Sequence, residues 1–194
     1  MEKLNNIVVV TGVSASGKNY LVEKALELGG DVISRSKVFN FGSSIHRIMR
    51  DRHPNIYDGS LSLQRAPENE LDEAAVEVID EIVATEGLRI VLNHVAYRLA
   101  ESVNINPNHG LMMRPRDYIV VTADPEEILK RRIKDDRHRI IEHPRIIDLH
   151  QKIAISAVMV IAKDIGSRMT IIENAELDTD INSNIIHEIL EGGL

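Results

Sequence analysis

The sequence predicts an α/β protein in which a parallel sheet is flanked by helices. Short β-rich runs alternate with longer amphipathic stretches, glycines follow several of those stretches, and one run, IVVVT at 7–11, is wholly apolar. Alternation of this kind is typical of parallel sheets, and a fully apolar run is typical of a central strand covered on both faces. Strands are expected at 7–11, within 31–40, at 89–92, at 118–122 and at 169–172.

Helices are predicted between these strands because apolar residues recur there on one face. They are expected at 18–28, from a cap in Gly42-Ser43-Ser44 through Arg50, at 67–87, at 125–135, at 146–165 and at 180–190. The segment 101–116 is predicted as a loop around Asn106-Pro107-Asn108-His109-Gly110. The polar residues at about 136–144 suit a short surface lid. At 194 residues the chain is expected to form a single domain, 1–194.

Composition excludes several classes of protein. The chain has no cysteine, so disulfides, thiolate zinc sites and cysteine nucleophiles are excluded. The formal net charge of −7 and the aromatic content of 3% argue against an unspecific nucleic-acid partner. No apolar stretch approaches the roughly 20 residues that span a bilayer, and no signal peptide is evident at the N-terminus. A cytoplasmic protein with neither a nucleic-acid nor a membrane partner is expected.

One short stretch is basic although the chain as a whole is acidic. Six cations fall within fifteen positions: Arg131, Arg132, Lys134, Arg137, Arg139 and Arg145. Such a cluster suits the binding of a small polyanion. The alternative is a solvated helix face paired with the neighbouring acids Asp135, Asp136 and Glu142.

The strongest motif is GVSASGK at 12–18, which fits the P-loop pattern G-x-x-x-x-G-K between a predicted strand and a predicted helix. Glycines let successive backbone N–H groups converge on one point. The helix N-terminus and the lysine then add positive charge. We expect ATP phosphates to bind here, and the candidate residues are Gly12, Ser14, Ala15, Ser16, Gly17 and Lys18.

The positions that usually handle Mg²⁺ depart from the P-loop pattern. Asn19 stands where a serine or threonine hydroxyl is expected, and Leu92 and Asn93 end the third strand where an aspartate is expected. An amide oxygen can hold Mg²⁺ directly or through water, so Asn19 is the candidate metal residue. The change is either a tolerated substitution or a sign of altered metal dependence or lost catalysis.

The chain resembles the archaeal-type adenylate kinases, small nucleoside monophosphate kinases without a zinc-bearing lid. The similar segments run nearly end to end: IVVVTGVSASGK (7–18), FNFG (39–42), Gln64-Arg65, NHVAYR (93–98), EEILKRR (126–132), RHR (137–139) and AISAVMVIAKDIGSRMTIIEN (154–174). The resemblance implies a five-stranded parallel sheet with nucleotides at the carboxyl ends of its strands. It also implies small nucleotides as partners and a homo-oligomer, often a trimer.

The resemblance also implies roles for individual residues. Lys18 would hold the donor phosphates, while Arg137 and Arg139 would reach the transferring phosphoryl group from the lid. On the acceptor side it implies Arg65 and Arg98 at the monophosphate, with Gly42 and Ser43 near its sugar or base. On the donor side it implies Arg131 or Arg132 against the base and Asn174 near its edge. The sequence at 100–111 is rich in asparagine, whereas the family has a proline- and glycine-rich sequence there.

Three functions remain open from the sequence. They are a nucleoside monophosphate kinase using ATP and AMP, a P-loop kinase of another small acceptor, and a non-catalytic nucleotide-binding protein. The eight histidines show no metal-binding spacing. His150 is expected to be partly buried with its polar groups satisfied. His94 has either a structural role or a phosphate contact.

Overall fold

The computed structural model describes residues 5–54, 66–99, 102–105, 107–135, 141–175 and 178–192. Within these ranges, five strands form one parallel sheet in the order β2-β3-β1-β6-β7. Their bounds are β1 Asn5–Thr11, β2 Lys37–Asn40, β3 Arg89–Asn93, β6 Pro115–Thr122 and β7 Arg168–Glu173. The predicted fold class is confirmed.

Helices cover both faces of this sheet. Those described are α1 Lys18–Glu27, α2 Phe41–Arg52, α3 Glu68–Ala84, α4 Pro107–Met113, α5 Pro125–Lys134, α6 Pro144–Ile165 and α7 Thr179–Glu191, with a 3₁₀ turn at Ile33–Arg35. No helix in the described ranges is long and apolar enough to cross a bilayer.

The core consists of two apolar layers separated by the sheet. Alternate residues of β1 point to opposite faces, so that Ile7 and Val9 join one layer while Val8 and Val10 join the other. Helices α3 and α6 fill the first layer, and α1 and α7 fill the second. This two-sided burial explains why β1 is apolar throughout.

The segment 101–116 was wrongly predicted to be a loop. Strands β4 (Ala96–Leu99) and β5 (Ser102–Ile105) pair antiparallel, and α4 follows directly. An Asn-Pro pair is typical of a loop, but Pro107 is the first residue of α4, where its missing N–H costs nothing. The cap predicted for α2 is also wrong, because the cap is Asn40 and not a residue of Gly42-Ser43-Ser44. The Asn40 side-chain oxygen accepts a bond of 3.2 Å from the Ser43 N–H.

A buried glutamine fixes the turn that follows β6. The side-chain amide of Gln151, on α6, bonds both backbone groups of Ala123, accepting from its N–H and donating to its carbonyl, each at 2.9 Å. Gln151 is buried. Since β6 ends beside β1, this contact also fixes the edge of the sheet where the loop after β1 lies.

We expect Gln151→Leu to lower the free energy of unfolding by about 2–4 kcal/mol, because two buried backbone groups of Ala123 lose their partners. Lys152→Ala provides the matched control, since Lys152 is exposed on the same helix and makes only a surface ion pair with Asp148. The control should change stability by less than about 0.5 kcal/mol. Urea unfolding followed by circular dichroism measures both. Equal effects would contradict the assigned role of Gln151.

A second stability prediction concerns pH. His109 on α4 packs against Phe41 with ring centroids 5.3 Å apart, and burial lowers the pKa of His109, with Asp72 acting weakly in the opposite direction. The unfolded chain therefore binds a proton at a higher pH than the folded chain does, so stability falls as pH drops below about 6.5. We expect His109→Phe to lose less stability than the wild type between pH 7.5 and 5.5. A larger or equal loss in urea titrations would contradict this.

Candidate active site

The candidate site lies at the carboxyl edge of the sheet. The loop 12–17 leaves β1, the central strand, and leads into α1. In parallel α/β sheets this edge is where ligands bind, at the point where connections diverge to the two sides of the sheet. Here β2 and β3 lie on one side of β1, and β6 and β7 lie on the other.

Backbone geometry shows why the loop needs its glycines. Gly17 has a left-handed conformation with φ of 92°, and a side chain there would collide with the Asn174 amide. A side chain at Gly12 would collide with the Val121 carbonyl oxygen. Gly17 is also the N-cap of α1, and no side chain caps the helix there. The first N–H groups of the helix are therefore available to an anion.

The loop's carbonyl groups are held from outside by side chains of distant elements. Gly12 O accepts from His94 Nδ1 at 2.7 Å, Ser14 O accepts from Arg132 Nε at 3.1 Å, and Ser16 O accepts from Asn174 Nδ2 at 2.9 Å. Arg131 Nη1 lies 3.5 Å from the Ser16 carbonyl oxygen as well and 3.5 Å from one further loop carbonyl oxygen, that of Ala15. The loop is therefore held by side chains of three elements, namely the residue after β3, the residue after β7 and helix α5.

Arg132 is a structural brace rather than part of a solvated helix face. Its Nη1 lies 2.7 Å from Glu142 Oε2, and the two side chains are 5% and 6% exposed. Glu142 in turn contacts His150, whose Nδ1 lies 3.6 Å away. The pairing of Arg132 with Glu142 is therefore as the alternative expected, but the pair is buried and not on a solvated face. His150 is largely buried with an acidic neighbour, as expected.

His94 contacts the P-loop lysine. Lys18 Nζ lies 3.1 Å from His94 Nε2. A carbonyl oxygen only accepts, so the contact with Gly12 O requires the proton on Nδ1 and leaves Nε2 as the acceptor for the ammonium group. His94 is thereby a neutral positioning residue for Lys18. The sequence left its role open between structure and phosphate contact.

A cavity of about 740 Å³ opens above the loop. Its lining includes residues predicted for the donor phosphates, namely Ser14, Ala15, Gly17, Lys18 and Asn19, and two predicted for the acceptor, Gly42 and Ser43. The hydroxyls of Ser14 and Ser16 are buried, and within the described part of the chain they have no hydrogen-bond partner. Unpaired buried donors beside a helix N-terminus suit an anionic ligand.

The structure describes only some of the remaining predicted site residues. Arg98 lies on β4, opposite Val103 in the hairpin register, and Arg65, Arg137 and Arg139 lie outside the described residues, as does 136–140 of the predicted lid. Sequence reasoning missed His46, which lines the cavity from α2 with its Nε2 buried and, among described residues, unpartnered. Its position one turn after Ser43 could have indicated this, because residues three apart share a helix face.

The residues present do not fit the usual Mg²⁺ site of a P-loop kinase. Leu92 is apolar and lines the cavity, and Asn93 uses its side-chain oxygen to accept the His94 N–H at 2.6 Å. At the other expected metal position, Asn19 lines the cavity with a neutral side chain. Within the described ranges, no group of three or more histidines or acids is arranged to hold a metal ion.

Comparison with solved structures identifies the fold. The shikimate kinase of Acinetobacter baumannii, in complex with shikimate, matches the chain with a TM-score of 0.57 and 14% identity, covering 100% of this chain and 97% of that one. At this identity the likeness shows the fold, which is that of the P-loop kinases. No protein-family model matches the chain.

The relatives found by sequence are adenylate kinases. An adenylate kinase from Thermococcus onnurineus is 26% identical over 189 residues, covering 95% of this chain and 93% of that protein. One from Methanococcus vannielii is 24% identical over 181 residues, covering 88% and 90%. The predicted resemblance to archaeal adenylate kinases is confirmed. These relatives support a phosphotransferase of the P-loop type.

The contact between Lys18 and His94 yields a stability prediction. We expect His94→Ala to lower the free energy of unfolding by about 1.5–3 kcal/mol, because a buried ammonium group loses an acceptor. His94→Gln, which keeps an acceptor oxygen, should recover much of this. Urea unfolding of the nucleotide-free protein measures both. If the two variants are equally destabilised, the bond to Lys18 is not what His94 contributes.

Proposed function

We propose that the chain is a nucleoside monophosphate kinase that transfers the γ-phosphoryl group of ATP to AMP and forms two molecules of ADP. One observation carries this proposal: residues predicted for the donor and residues predicted for the acceptor line the same cavity. Lys18 and the loop form one wall, and Gly42 and Ser43 on α2 belong to another. Direct transfer requires the two nucleotides to share one enclosed space.

The proposed reaction needs positioning and charge neutralisation more than acid–base groups. A phosphate oxygen of AMP attacks the γ-phosphorus, the bond to the bridging oxygen breaks, and ADP leaves with that oxygen's electron pair. Lys18, the loop N–H groups and the N-terminus of α1 would stabilise the charge on the donor. Water exclusion by a closing lid would suppress hydrolysis.

Arginines complete the proposed machinery. Arg131 lies beside the loop and remains the candidate for the donor base, while Asn174, which braces Ser16, lies on the same side. Arg65 and Arg98 are proposed for the acceptor phosphate, and Arg137 and Arg139 for the transferring group. These four roles rest on the resemblance and on arginine's planar fork, which pairs with two phosphate oxygens.

A kinase of another small acceptor is the second candidate. Its support is the Asn-rich text at 100–111, where the described residues include β5 and α4. A non-catalytic nucleotide-binding protein is the third, supported by Asn19 and Asn93 at the positions expected to handle the metal.

A coupled assay for ADP separates the candidates. We expect ADP formation from ATP to depend on added AMP and to be much slower with other nucleoside monophosphates. Dependence on a different phosphate acceptor in a screen with labelled ATP would favour the second candidate. Tight ATP binding by calorimetry without turnover, and without rescue by Asn19→Thr, would favour the third.

The lysine provides a matched test of the site. We expect Lys18→Ala to lower kcat by about 10²-fold or more, because a cation aimed at the transferring phosphate is lost. Lys24→Ala, on the same helix, should leave kcat unchanged, since Lys24 is exposed and pairs with Glu27. Steady-state rates at saturating ATP and AMP measure the difference. Similar rates for the two variants would contradict the proposed role of Lys18.

A further inference from the structure

We propose that this site contributes no direct protein ligand to Mg²⁺, so that ATP binding and Mg²⁺ binding are nearly uncoupled. ATP alone then binds about as tightly as its Mg²⁺ complex. This inference rests on the nucleotide binding that the proposed function requires. It concerns the departures of this chain from the usual P-loop site, and it is tested by binding rather than by turnover.

The end of β3 provides the first argument. Leu92 is 8% exposed and packs in the apolar layer beneath α1. Its side chain offers no ligand atom where a P-loop kinase would place a carboxylate. Asn93 is also buried, and its side-chain oxygen is directed at the N–H of the next residue, 2.6 Å away. Neither residue presents an oxygen that is available to an ion.

The start of α1 likewise carries no acidic ligand. Asn19 lines the cavity in place of the hydroxyl residue. Its amide oxygen is neutral, and a single neutral oxygen competes poorly for an ion that keeps several of its own waters. His94, the residue after β3, accepts from Lys18 through a neutral imidazole ring. The residues that would normally draw a divalent ion to this point are therefore uncharged.

Two carboxylates line the cavity elsewhere, and they define the controls. Glu23 is exposed on α1, one turn after Asn19, and Asp135 immediately follows the last turn of α5. Neither stands at the end of β3.

The charges explain the expected absence of coupling. Mg²⁺ neutralises part of the charge of ATP, so free ATP is the more strongly negative ligand. A carboxylate at the end of β3 would repel free ATP and attract the complex, whereas Leu92 does neither. Coupling between two ligands requires a difference in their interaction with the protein, and within the described part of the chain neither the end of β3 nor the start of α1 supplies a carboxylate that would favour the complex.

Calorimetric titration of the full chain with ATP, in excess EDTA and in excess Mg²⁺, tests the inference. We expect the two dissociation constants to agree within about threefold, and we expect Asn19→Thr with Leu92→Asp to separate them by about tenfold or more in favour of the complex. Asn19→Thr with Leu92→Asn is the matched control, similar in shape but neutral, and should stay within about threefold. If Leu92→Asp prevents folding, Asn19→Thr alone is a further variant that avoids burying an acid. Its two dissociation constants should be at most partly separated.

A wild-type ratio of about tenfold or more would overturn the inference. Loss of that ratio in Glu23→Gln or Asp135→Asn would also overturn it, and would place the metal at that carboxylate. Absence of ATP binding under both conditions would overturn the proposed function and this inference with it. Tight binding that depends on Mg²⁺ would overturn the inference alone.

Discussion

A loop that turns its N–H groups toward one point turns carbonyl groups away from it, and those carbonyls need donors. In this protein the donors are side chains that lie far from the loop in sequence. His94, Arg132 and Asn174 each hold one carbonyl, and they reach the loop from the segments after β3 and β7 and from α5. The order of the sheet makes this possible, because β1 lies between β3 and β6. The phosphate site thus depends on the packing of the whole carboxyl edge.

The same bracing links the loop to the helices behind it. Arg132 pairs with Glu142, and Glu142 contacts His150 on α6, so a buried ion pair and this contact connect the loop to the longest of the described helices. Gln151, the next residue on α6, holds Ala123 at the start of the connection to α5. A buried pair of this kind contributes little net stability, but removing one partner strands the other charge. We interpret the contacts among Arg132, Glu142 and His150 as a means of fixing the geometry of the loop.

The site also shows how a phosphate-binding loop persists when its metal-binding neighbours change. Phosphate contacts come from backbone N–H groups and Lys18, which depend on the glycines and on the strand-to-helix turn. Metal contacts come from two separate side chains, at position 19 and at the end of β3. Because these are different atoms on different elements, Asn19 and Leu92 can replace the usual metal-binding residues while the glycines keep the backbone of the loop.

The sequence by itself determined the parallel sheet, the P-loop and most helix bounds, because apolar periodicity and glycine placement act through local backbone geometry. It did not determine the hairpin and α4 within 96–113, since a proline after an asparagine fits a loop and a helix start equally well. Nor did it separate Arg131 from Arg132, or assign His94 to Lys18. Those roles depend on which side chains from distant strands meet at one edge of the sheet. Only the tertiary structure decided that, because residues 76 or more positions apart become hydrogen-bond partners only when the strands pack side by side.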